Sequence, residues 1–502
     1  MPRSRPLPIT LRKRLCDALG GLDEAAEEVA LGVYQATSPT EMYDAERAVA
    51  RDARRRADQL VATVLQYRAG EALSVKAAKE QALRKAKAAG LVVKSHGARP
   101  TPVRLLGGTE IRLKTLALLP VAQPGPGRKR GVGRRGKGGA GVYPLLDQLG
   151  IVGKATPALV ADVGREMTEA TSYEVALSSM RERGLDISKQ VAMRLLYLFA
   201  DRAVALRDER VEQAASEPTP ETGELAGRRI VVSVDGGRSR IRQNATAGRR
   251  NAKTRHRKFK TPWKEPRVMS VYVLDDEGNR DRGAQVFLDG TMGDAEATLA
   301  LMVGHLRLLG AHLAEQVVFV ADGAEWIWDR AQRLRQAVGI EPERWTEVLD
   351  WYHAVEHLHS VAAIPKDWKD DERKAWIKRA KRHLHRGRVD QVLEDIDSLR
   401  VGRRAKEIAK GARYFDNNAD RMRYADFRAA AVPSGSGGVE SAVRRVINQR
   451  MKGNSRFWLP ERAEGMLHLR SHLKAGRWDD LVRQTICQAV WPAAAARAQP
   501  AT

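Results

Sequence analysis

The clearest hydrophobic pattern lies between residues 229 and 350, where short apolar runs are separated by turn residues. The runs RIVVSVDGG, RVMSVYVLDDEGN, AQVFLDG and EQVVFVADG are rich in β-branched residues and end in Asp or Gly. Runs of this kind, bounded by turn residues, predict β-strands. Three of them come in succession and strand–helix alternation follows, so the pattern predicts a mixed α/β sheet.

Helical periodicity dominates on both sides of these strands and also interrupts them. Residues 1–95, 143–214 and 365–431 carry apolar side chains at helical spacing among many charges. Residues 99–121, RPTPVRLLGGTEIRLKTLALLPV, alternate in the manner of a short β-hairpin. The fold class that we predict is therefore an α/β core interrupted by an all-helical insertion and preceded by a helical N-terminal region.

A helix-turn-helix pattern lies within residues 172–203. Gly184 can end its first helix and Ser188 can cap its second. The second helix of such a motif can read DNA in the major groove, but many packed helical pairs have the same pattern. Both interpretations stay open at this stage.

These patterns divide the chain into eight parts. They are a helical N-terminal region at 1–95, a basic linker with the hairpin at 96–142, a helical and possibly DNA-binding region at 143–214, a linker at 215–228, the first part of the core at 229–362, the helical insertion at 363–432, the last part of the core at 433–490 and a tail at 491–502.

The net charge of the chain indicates the kind of partner that it binds. The chain has 87 Lys and Arg against 62 Asp and Glu, a net charge of +25. A positive charge of this size favours a polyanionic partner such as nucleic acid.

The two cysteines, Cys16 and Cys487, exclude a disulfide framework and a cysteine-based zinc module. No apolar run is long enough to span a bilayer, so we expect a cytoplasmic protein without a membrane partner.

Basic residues that we predict to contact DNA concentrate in three segments, at residues 238–267, 124–139 and 444–452. Residues 238–267 hold twelve Arg and Lys and one acid, Glu265, and residues 124–139 hold six basic residues and no acid. The aromatic residues Phe259 and Trp263 interleave with the charges and suit stacking on an unpaired base. The predicted DNA-contacting residues are Arg238, Arg240, Arg242, Arg249, Arg250, Lys253, Arg255, Lys258, Lys260, Trp263, Arg128, Lys129, Arg130, Arg444, Arg445, Arg450 and Lys452.

Three carboxylates are placed where a metal site would need them. Asp235-Gly236 and Asp322-Gly323 each end a predicted strand, and Glu440 opens a predicted helix. Asp-Gly after a strand is also a common turn. Three carboxylates on neighbouring elements suit two Mg²⁺ ions, which in phosphoryl transfer activate the attacking oxygen and stabilise the leaving one. In a basic chain, this combination points to DNA or RNA strand chemistry.

Residues 348–360, VLDWYHAVEHLHS, carry a second candidate site. His353, Glu356 and His357 fit the H-x-x-E-H pattern of a zinc peptidase, because two imidazoles four residues apart share one helix face. A peptidase would also need a third ligand, and it would leave the positive charge unexplained. Ordinary polar residues on a helix surface are a further alternative for His357 and His359.

In this setting, the chain resembles the DDE transposases of bacterial insertion sequences, with closest likeness to the Kra-type elements and through them to the Mutator-like group. The resemblance covers most of 229–481 in order. The segments that carry it are VVSVDGGRSRIR, WKEPRVMSVYVLDDEG, VVFVADGAEWIW, VLDWYHAVEHL, YFDNNADRMRYADFR, PSGSGGVESAVRRVINQRMKG and RFWLPERAEGMLHLRSHLKAGRWDDL.

This resemblance implies an RNase H-like core in which Asp235, Asp322 and Glu440 are the catalytic metal ligands for two Mg²⁺ ions, with Mn²⁺ as a substitute. Asp350-x-x-His353 resembles the C/D-x-x-H motif of Mutator-like relatives, which implies a supporting role for these two residues. Relatives often carry cysteine pairs ahead of the core, whereas residues 124–139 have none, which argues against a structural zinc there.

The function that the resemblance implies is cleavage and strand transfer of DNA at insertion-sequence ends. The implied partners are the terminal inverted repeats and the target DNA, with a homodimer or larger assembly near the nucleoid to pair two ends. The alternative is a DNA-binding protein descended from a transposase, without catalysis. The presence of all three acidic residues favours the active enzyme.

Overall fold

The structure, a computed structural model, describes residues 7–20, 23–88, 92–120, 142–244, 258–453 and 456–487. The chain forms two compact units, Met1–Phe199 with Asp479–Thr502, and Ala200–Trp478. In the described part of the chain, no helix is both long and apolar enough to cross a membrane.

The first unit is helical with one β-hairpin. Its elements are α1 (Ile9–Gly20), α2 (Asp23–Gln35), α3 (Pro39–Gly70), α4 (Ala72–Ala88), β1 (Val93–Arg104), β2 (Glu110–Pro120), α5 (Pro144–Gln148), α6 (Pro157–Glu169), α7 (Tyr173–Glu182) and the first part of α8 (Lys189–Ser216).

The hairpin predicted from residues 99–121 is confirmed, since β1 and β2 pair antiparallel. Its turn is held by the buried carboxylate of Asp58 on α3, which accepts from the backbone N–H of Gly107 at 2.9 Å and of Thr109 at 3.0 Å. A Cβ at Gly107 would lie 2.7 Å from Asp58 Oδ2, so this close approach requires glycine.

The helix–turn–helix order predicted for residues 172–203 is also confirmed by α7 and α8. Gly184 follows α7 with a φ of 87°, and the Ser188 hydroxyl accepts from the N–H of Val191 at the start of α8. DNA reading by α8 stays a prediction, because a capped helical pair has this geometry whether or not it binds DNA.

The second unit contains the sheet and the remaining helices. After the rest of α8, its elements in chain order are β3 (Arg229–Gly236), β4 (Ser239–Arg240), β5 (Gln243–Asn244), β6 (Phe259–Lys260), β7 (Trp263–Lys264), β8 (Arg267–Val273), β9 (Phe287–Thr291), α9 (Ala295–Leu308), β10 (Gln316–Ala321), α10 (Glu325–Val338), β11 (Trp345–Leu349), α11 (Trp351–Ala362), α12 (Asp370–His385), α13 (Val389–Asp397), α14 (Ala405–Asn417), α15 (Tyr424–Ala429), α16 (Gly437–Val443) and α17 (Pro460–Lys474). The last helix, α18 (Trp478–Cys487), belongs to the first unit from Asp479 onward.

A five-stranded mixed sheet organises this unit, in the order β11-β10-β3-β8-β9. β10 pairs parallel with both β3 and β11, whereas β8 pairs antiparallel with both β3 and β9. The predicted mixed α/β fold is therefore confirmed. Ile230 to Val234 on β3 are all buried, as expected for a strand covered on both faces.

The predicted helical insertion is present as α12 to α15, and it shares its core with the sheet. Trp376 of α12, Phe415 of α14 and Phe427 of α15 belong to the same apolar cluster as Val232 and Phe319 of the strands. Burial of large aromatic side chains contributes on the order of 2–3 kcal/mol each. The insertion is therefore fixed to the core and can place residues beside the strand ends.

Candidate active site

Three aspartates lie side by side at the carboxyl ends of the three parallel strands. Ser233 on β3 pairs with Val320 on β10, so the same register brings Asp235 level with Asp322 two residues later. Ala321 pairs with Leu349 on β11, which places Asp322 level with Asp350. Parallel strands all end at one edge of a sheet, and the aspartates follow these ends.

Local hydrogen bonds hold the first two aspartates in place. Asp235 Oδ1 accepts from the N–H of Gly236 at 2.6 Å, and Asp322 Oδ1 accepts from the N–H of Ala324 at 3.0 Å. At Gly323 a Cβ would lie 2.1 Å from the Tyr414 ring. The Asp-Gly pair at the end of β10 thus allows α14 to pack directly against the strand end.

Glu440 reaches the same edge from a helix. α16 packs across β3 and β8, and Glu440 lies in its first turn with an exposed side chain. The Ser436 hydroxyl, at the residue before α16, donates to Glu440 Oε1 at 3.3 Å. The two predicted strand-end carboxylates and the predicted helix carboxylate are therefore brought together by the fold.

Asp350 organises the neighbourhood of these carboxylates. Its side chain is fully buried and caps α11, accepting from the backbone N–H of His353 at 2.8 Å. The same Oδ1 atom is 3.1 Å from His353 Nδ1, and Oδ2 accepts from the N–H of Ser436. Asp350 thus links the end of β11, the start of α11 and the loop before Glu440.

We expect Asp350→Ala to lower the free energy of unfolding by about 2–4 kcal/mol, from loss of the helix cap and from leaving the Ser436 N–H unpaired in the interior. Nine of the ten tryptophans lie in Ala200–Trp478, so tryptophan fluorescence during urea unfolding reports mainly on this unit. Asp276→Ala, at an exposed turn position, is the control. A loss below about 0.5 kcal/mol, the range of ordinary surface substitutions, would contradict the role assigned to Asp350.

The electrostatics of the site reflect crowded negative charge. Burial, with the charges of Asp322 and Glu440, raises the pKa of Asp235 to about 6, against the opposing effects of the Gly236 N–H and of His353. The hydrogen bond to Asp350, with that residue's negative charge, raises the pKa of His353 to about 9, although burial opposes it. Near neutral pH, His353 is therefore a cation beside the carboxylates.

The carboxylates at this edge suit a metal ion, whereas His353 could bind one only after losing its proton. One ligand atom from each of Asp350, His353 and Glu440 lies within 4.8 Å of the others. The carboxylates of Asp235 and Asp322 lie outside this group of three, yet close enough for Asp322 and Glu440 to raise the pKa of Asp235. Carboxylate oxygens are the ligands that Mg²⁺ prefers, and a divalent cation would relieve their mutual repulsion.

The H-x-x-E-H pattern is divided between two surroundings. His353 pairs with Asp350, whereas the ring of His357 stacks on Tyr414 at a centroid distance of 3.5 Å. His357 and Tyr414 line a groove of about 660 Å³ between α10, α11 and α14. Among the described residues, the metal-competent group at this edge includes His353 but neither Glu356 nor His357, so the geometry does not favour the peptidase interpretation.

Part of the basic segment after β3 forms a narrow antiparallel ladder, which we call the basic arm (residues 238–244 and 258–264). β4 pairs with β7, and β5 pairs with β6. Arg240 lies over the Trp263 ring at 4.8 Å, and Arg242 lies over the Phe259 ring at 4.2 Å. The aromatic residues therefore contact arginines of the arm itself, while Trp263 keeps 47% of its surface exposed.

The base of the arm is attached next to the carboxylates. A Cβ at Gly237 would lie 2.6 Å from Ile447, in the π-helical turn Arg444–Asn448 that follows α16. The N–H of Arg242 donates to Trp458 O at 2.7 Å, and the N–H of Trp458 donates to Arg240 O at 2.9 Å. The arm thus begins at the site and is held by the segment that precedes α17.

The other predicted DNA-contacting residues differ in exposure. Arg238, Lys258, Lys260, Arg444 and Lys452 are exposed.

Arg445 and Arg450 are engaged inside the fold. Arg445 is half-buried and donates to Lys474 O at 3.2 Å. Arg450 is 4% exposed, with its guanidinium over the Trp458 ring. A buried guanidinium does not face a phosphate, so the expectation for Arg450 is corrected: it supports the attachment of the arm.

Seven predicted DNA-contacting residues lie outside the described residues. They are Arg128, Lys129, Arg130, Arg249, Arg250, Lys253 and Arg255.

Sequence reasoning missed Ser436 and Tyr414 as neighbours of the site. Their contacts with Asp350 and Gly323 join segments far apart in the chain. The Gly-Ser loop 434–438 could be recognised in the sequence, but its hydrogen bond to Asp350 could not. No protein-family model and no curated protein matches this chain.

Proposed function

We propose that the protein cleaves DNA at the ends of an insertion sequence and joins those ends to target DNA by metal-dependent phosphoryl transfer, as DDE transposases do. The observation that carries the proposal is the convergence of Asp235, Asp322 and Glu440 at one edge of the sheet, although Glu440 lies more than 100 residues after Asp322. A mixed sheet with carboxylates at its parallel strand ends is compatible with an RNase H-like core.

In this proposal, Asp235, Asp322 and Glu440 hold two Mg²⁺ ions through carboxylate oxygens. Bound there, the ions would stabilise the charge that develops on the attacking and leaving oxygens of the phosphodiester. Water attacks the phosphodiester at the element end, and the bond to the 3′ oxygen breaks. The freed 3′-OH then attacks a target phosphodiester, whose own 3′ oxygen leaves, so no covalent protein–DNA intermediate is required.

Asp350 and His353 act as positioning residues. Asp350 accepts from the Ser436 N–H and so fixes the loop that leads into α16 and Glu440. The pKa of His353, raised to about 9, keeps a positive charge beside Asp350 that offsets part of the acidic cluster. Both residues shape the site before metal and DNA arrive.

The net charge of +25 and the basic arm beside the carboxylates support DNA as the substrate. A phosphate backbone that reaches the metal-binding carboxylates would pass the arm, where Arg238 and Lys264 are exposed. Paired cleavage of two ends favours a homodimer or larger assembly.

The test is a nicking assay on a duplex that carries the DNA flanking the gene, with Mg²⁺ or Mn²⁺. We expect end-specific nicks that EDTA abolishes, and we expect Glu440→Gln to bind this DNA without cutting it. Glu461→Gln, at an exposed position at the start of α17, is the control and should cut normally. Tight, end-specific binding without nicks by the wild-type protein would favour the DNA-binding alternative.

A further inference from the structure

A second cluster of ligating side chains lies away from the strand-end carboxylates, between β9, α9 and α17. It consists of Asp289 on β9, His305 on α9, and His468 with His472 on α17. One ligand atom from each of Asp289, His468 and His472 lies within 4.8 Å of the others. His468 and His472 are four residues apart on one helix, so their rings lie on the same face, with centroids 4.6 Å apart.

The hydrogen bonds of Asp289 orient the cluster. Asp289 is fully buried, and its Oδ1 atom is 2.9 Å from His468 Nδ1. Its Oδ2 atom is 2.8 Å from His305 Nε2. Once Nδ1 of His468 has lost its proton, this nitrogen and the nearby carboxylate oxygen are close enough to bind one metal ion together.

Two imidazole nitrogens of the cluster have no hydrogen-bond partner. Within the described part of the chain, nothing pairs with His468 Nε2 or His472 Nδ1, and both atoms are buried. His468 as a whole is 2% exposed. A buried polar atom without a partner costs on the order of 1–3 kcal/mol, so a metal ion bound at His472 Nδ1 would remove one such cost.

The charges of the surroundings point to a cation. Arg207 is 8% exposed and is the cation closest to Asp289, at 3.9 Å. Its guanidinium is shared with Glu464 at 2.8 Å and with Asp208 at 2.7 Å. With the histidines neutral, as metal binding requires, one positive charge faces three carboxylates, two of them largely buried. This leaves negative charge that a divalent ion would neutralise.

We propose that Asp289, His468 and His472 form a site for one Zn²⁺ ion, with water as the fourth ligand, that joins the edge strand β9 to α17. Two imidazoles and one carboxylate suit Zn²⁺ better than Mg²⁺ or Ca²⁺, which prefer oxygen ligands only. His305 and Arg207 orient the carboxylate from outside. This inference does not depend on the proposed function.

The proposed zinc ion would also affect the segment that follows Glu440. Arg470, on α17 between the two histidines, is 1% exposed and donates to Val446 O at 2.7 Å and to Arg445 O. These carbonyls belong to the π-helical turn that follows α16. An ion that fixes α17 on β9 would therefore also steady the support of the α16 helix.

The test is the zinc content of the full-length chain, purified without a polyhistidine tag and measured by mass spectrometry. We expect about one zinc per chain, bound in tetrahedral geometry. His472→Gln and Asp289→Asn should lose it, whereas His359→Gln, which alters an exposed histidine, should keep it.

Because the variants can fail to fold, chelation of the wild-type protein is the second measurement. It should lower Tm, added Zn²⁺ should restore Tm, and Co²⁺ should give a tetrahedral visible spectrum.

Two results would overturn the inference. The first is a wild-type chain that contains no zinc and whose Tm does not change with Zn²⁺ or a chelator. The second is loss of zinc from His353→Gln with retention in His472→Gln, since the ion would then belong to the strand-end carboxylates. Neither result depends on DNA cleavage, so this inference and the proposed function can fail separately.

Discussion

Asp322→Asn is expected to reduce DNA cleavage by roughly 10³-fold while DNA affinity changes by less than about twofold. A metal ion contributes several kcal/mol of charge stabilisation in the transition state, and about 4 kcal/mol corresponds to a 10³-fold change in rate. Asn has the shape of Asp and can still accept from the Ala324 N–H, so the end of β10 should keep its conformation. Asp235→Asn should behave in the same way, because its bond from Gly236 also needs only an oxygen.

The measurement is the single-turnover rate of end cleavage at saturating DNA, with affinity measured separately by fluorescence anisotropy. Asp329→Asn is the matched control, since it removes the same charge from an exposed position on the neighbouring α10. Cleavage by Asp322→Asn at more than about a tenth of the wild-type rate would show that Asp322 is not a metal ligand. Equal losses in Asp329→Asn would instead indicate a general effect of charge.

The strands and two of the catalytic candidates were predictable because their pattern is local. The run Ile230 to Val234 is apolar except for Ser233, and Asp235-Gly236 ends it, so a short window of sequence contains both the strand and the carboxylate. The same holds for β10 and Asp322. Parallel pairing then places these residues at one edge without further information.

The supporting contacts were not predictable, because they depend on tertiary approach. Asp350 accepts from Ser436, 86 residues later, and Tyr414 fills the space above Gly323. Arg450 has the same local appearance as an exposed arginine, and only the position of Trp458 shows that it is buried. The cluster around Asp289 was not predicted for the same reason, since His468 lies 179 residues after Asp289 in the chain.

The basic arm shows the same division between local and tertiary information. The local sequence predicted a basic segment directly after Asp235, and the structure describes β4 to β7 within it. Sequence alone assigned Phe259 and Trp263 to DNA bases, whereas the structure places arginine guanidiniums over both rings. Arg240 and Arg242 therefore also stabilise the arm, so their substitution would combine loss of charge with loss of structure.

A fourfold variant can isolate the electrostatic role of the arm. Arg238, Lys258, Lys260 and Lys264 are exposed and leave the arginine–aromatic contacts intact. Changing all four to Gln is expected to weaken binding to every DNA sequence. It should also flatten the plot of log K against log salt by roughly one unit per lost phosphate contact, because each contact releases about one condensed counterion.

The matched control removes four charges at Lys374, Lys378 and Arg382 on α12 and at Arg386 directly after it, which are also exposed. If only the net charge of +25 mattered, both variants would lose the same affinity, with similar salt dependence. If the arm contacts the phosphates beside the carboxylates, its variant alone should lose most of the slope, because a direct contact releases more counterions than a distant charge. An unchanged slope in the arm variant would contradict DNA contact by these four residues, while the cleavage predictions for Asp235 and Asp322 would still stand.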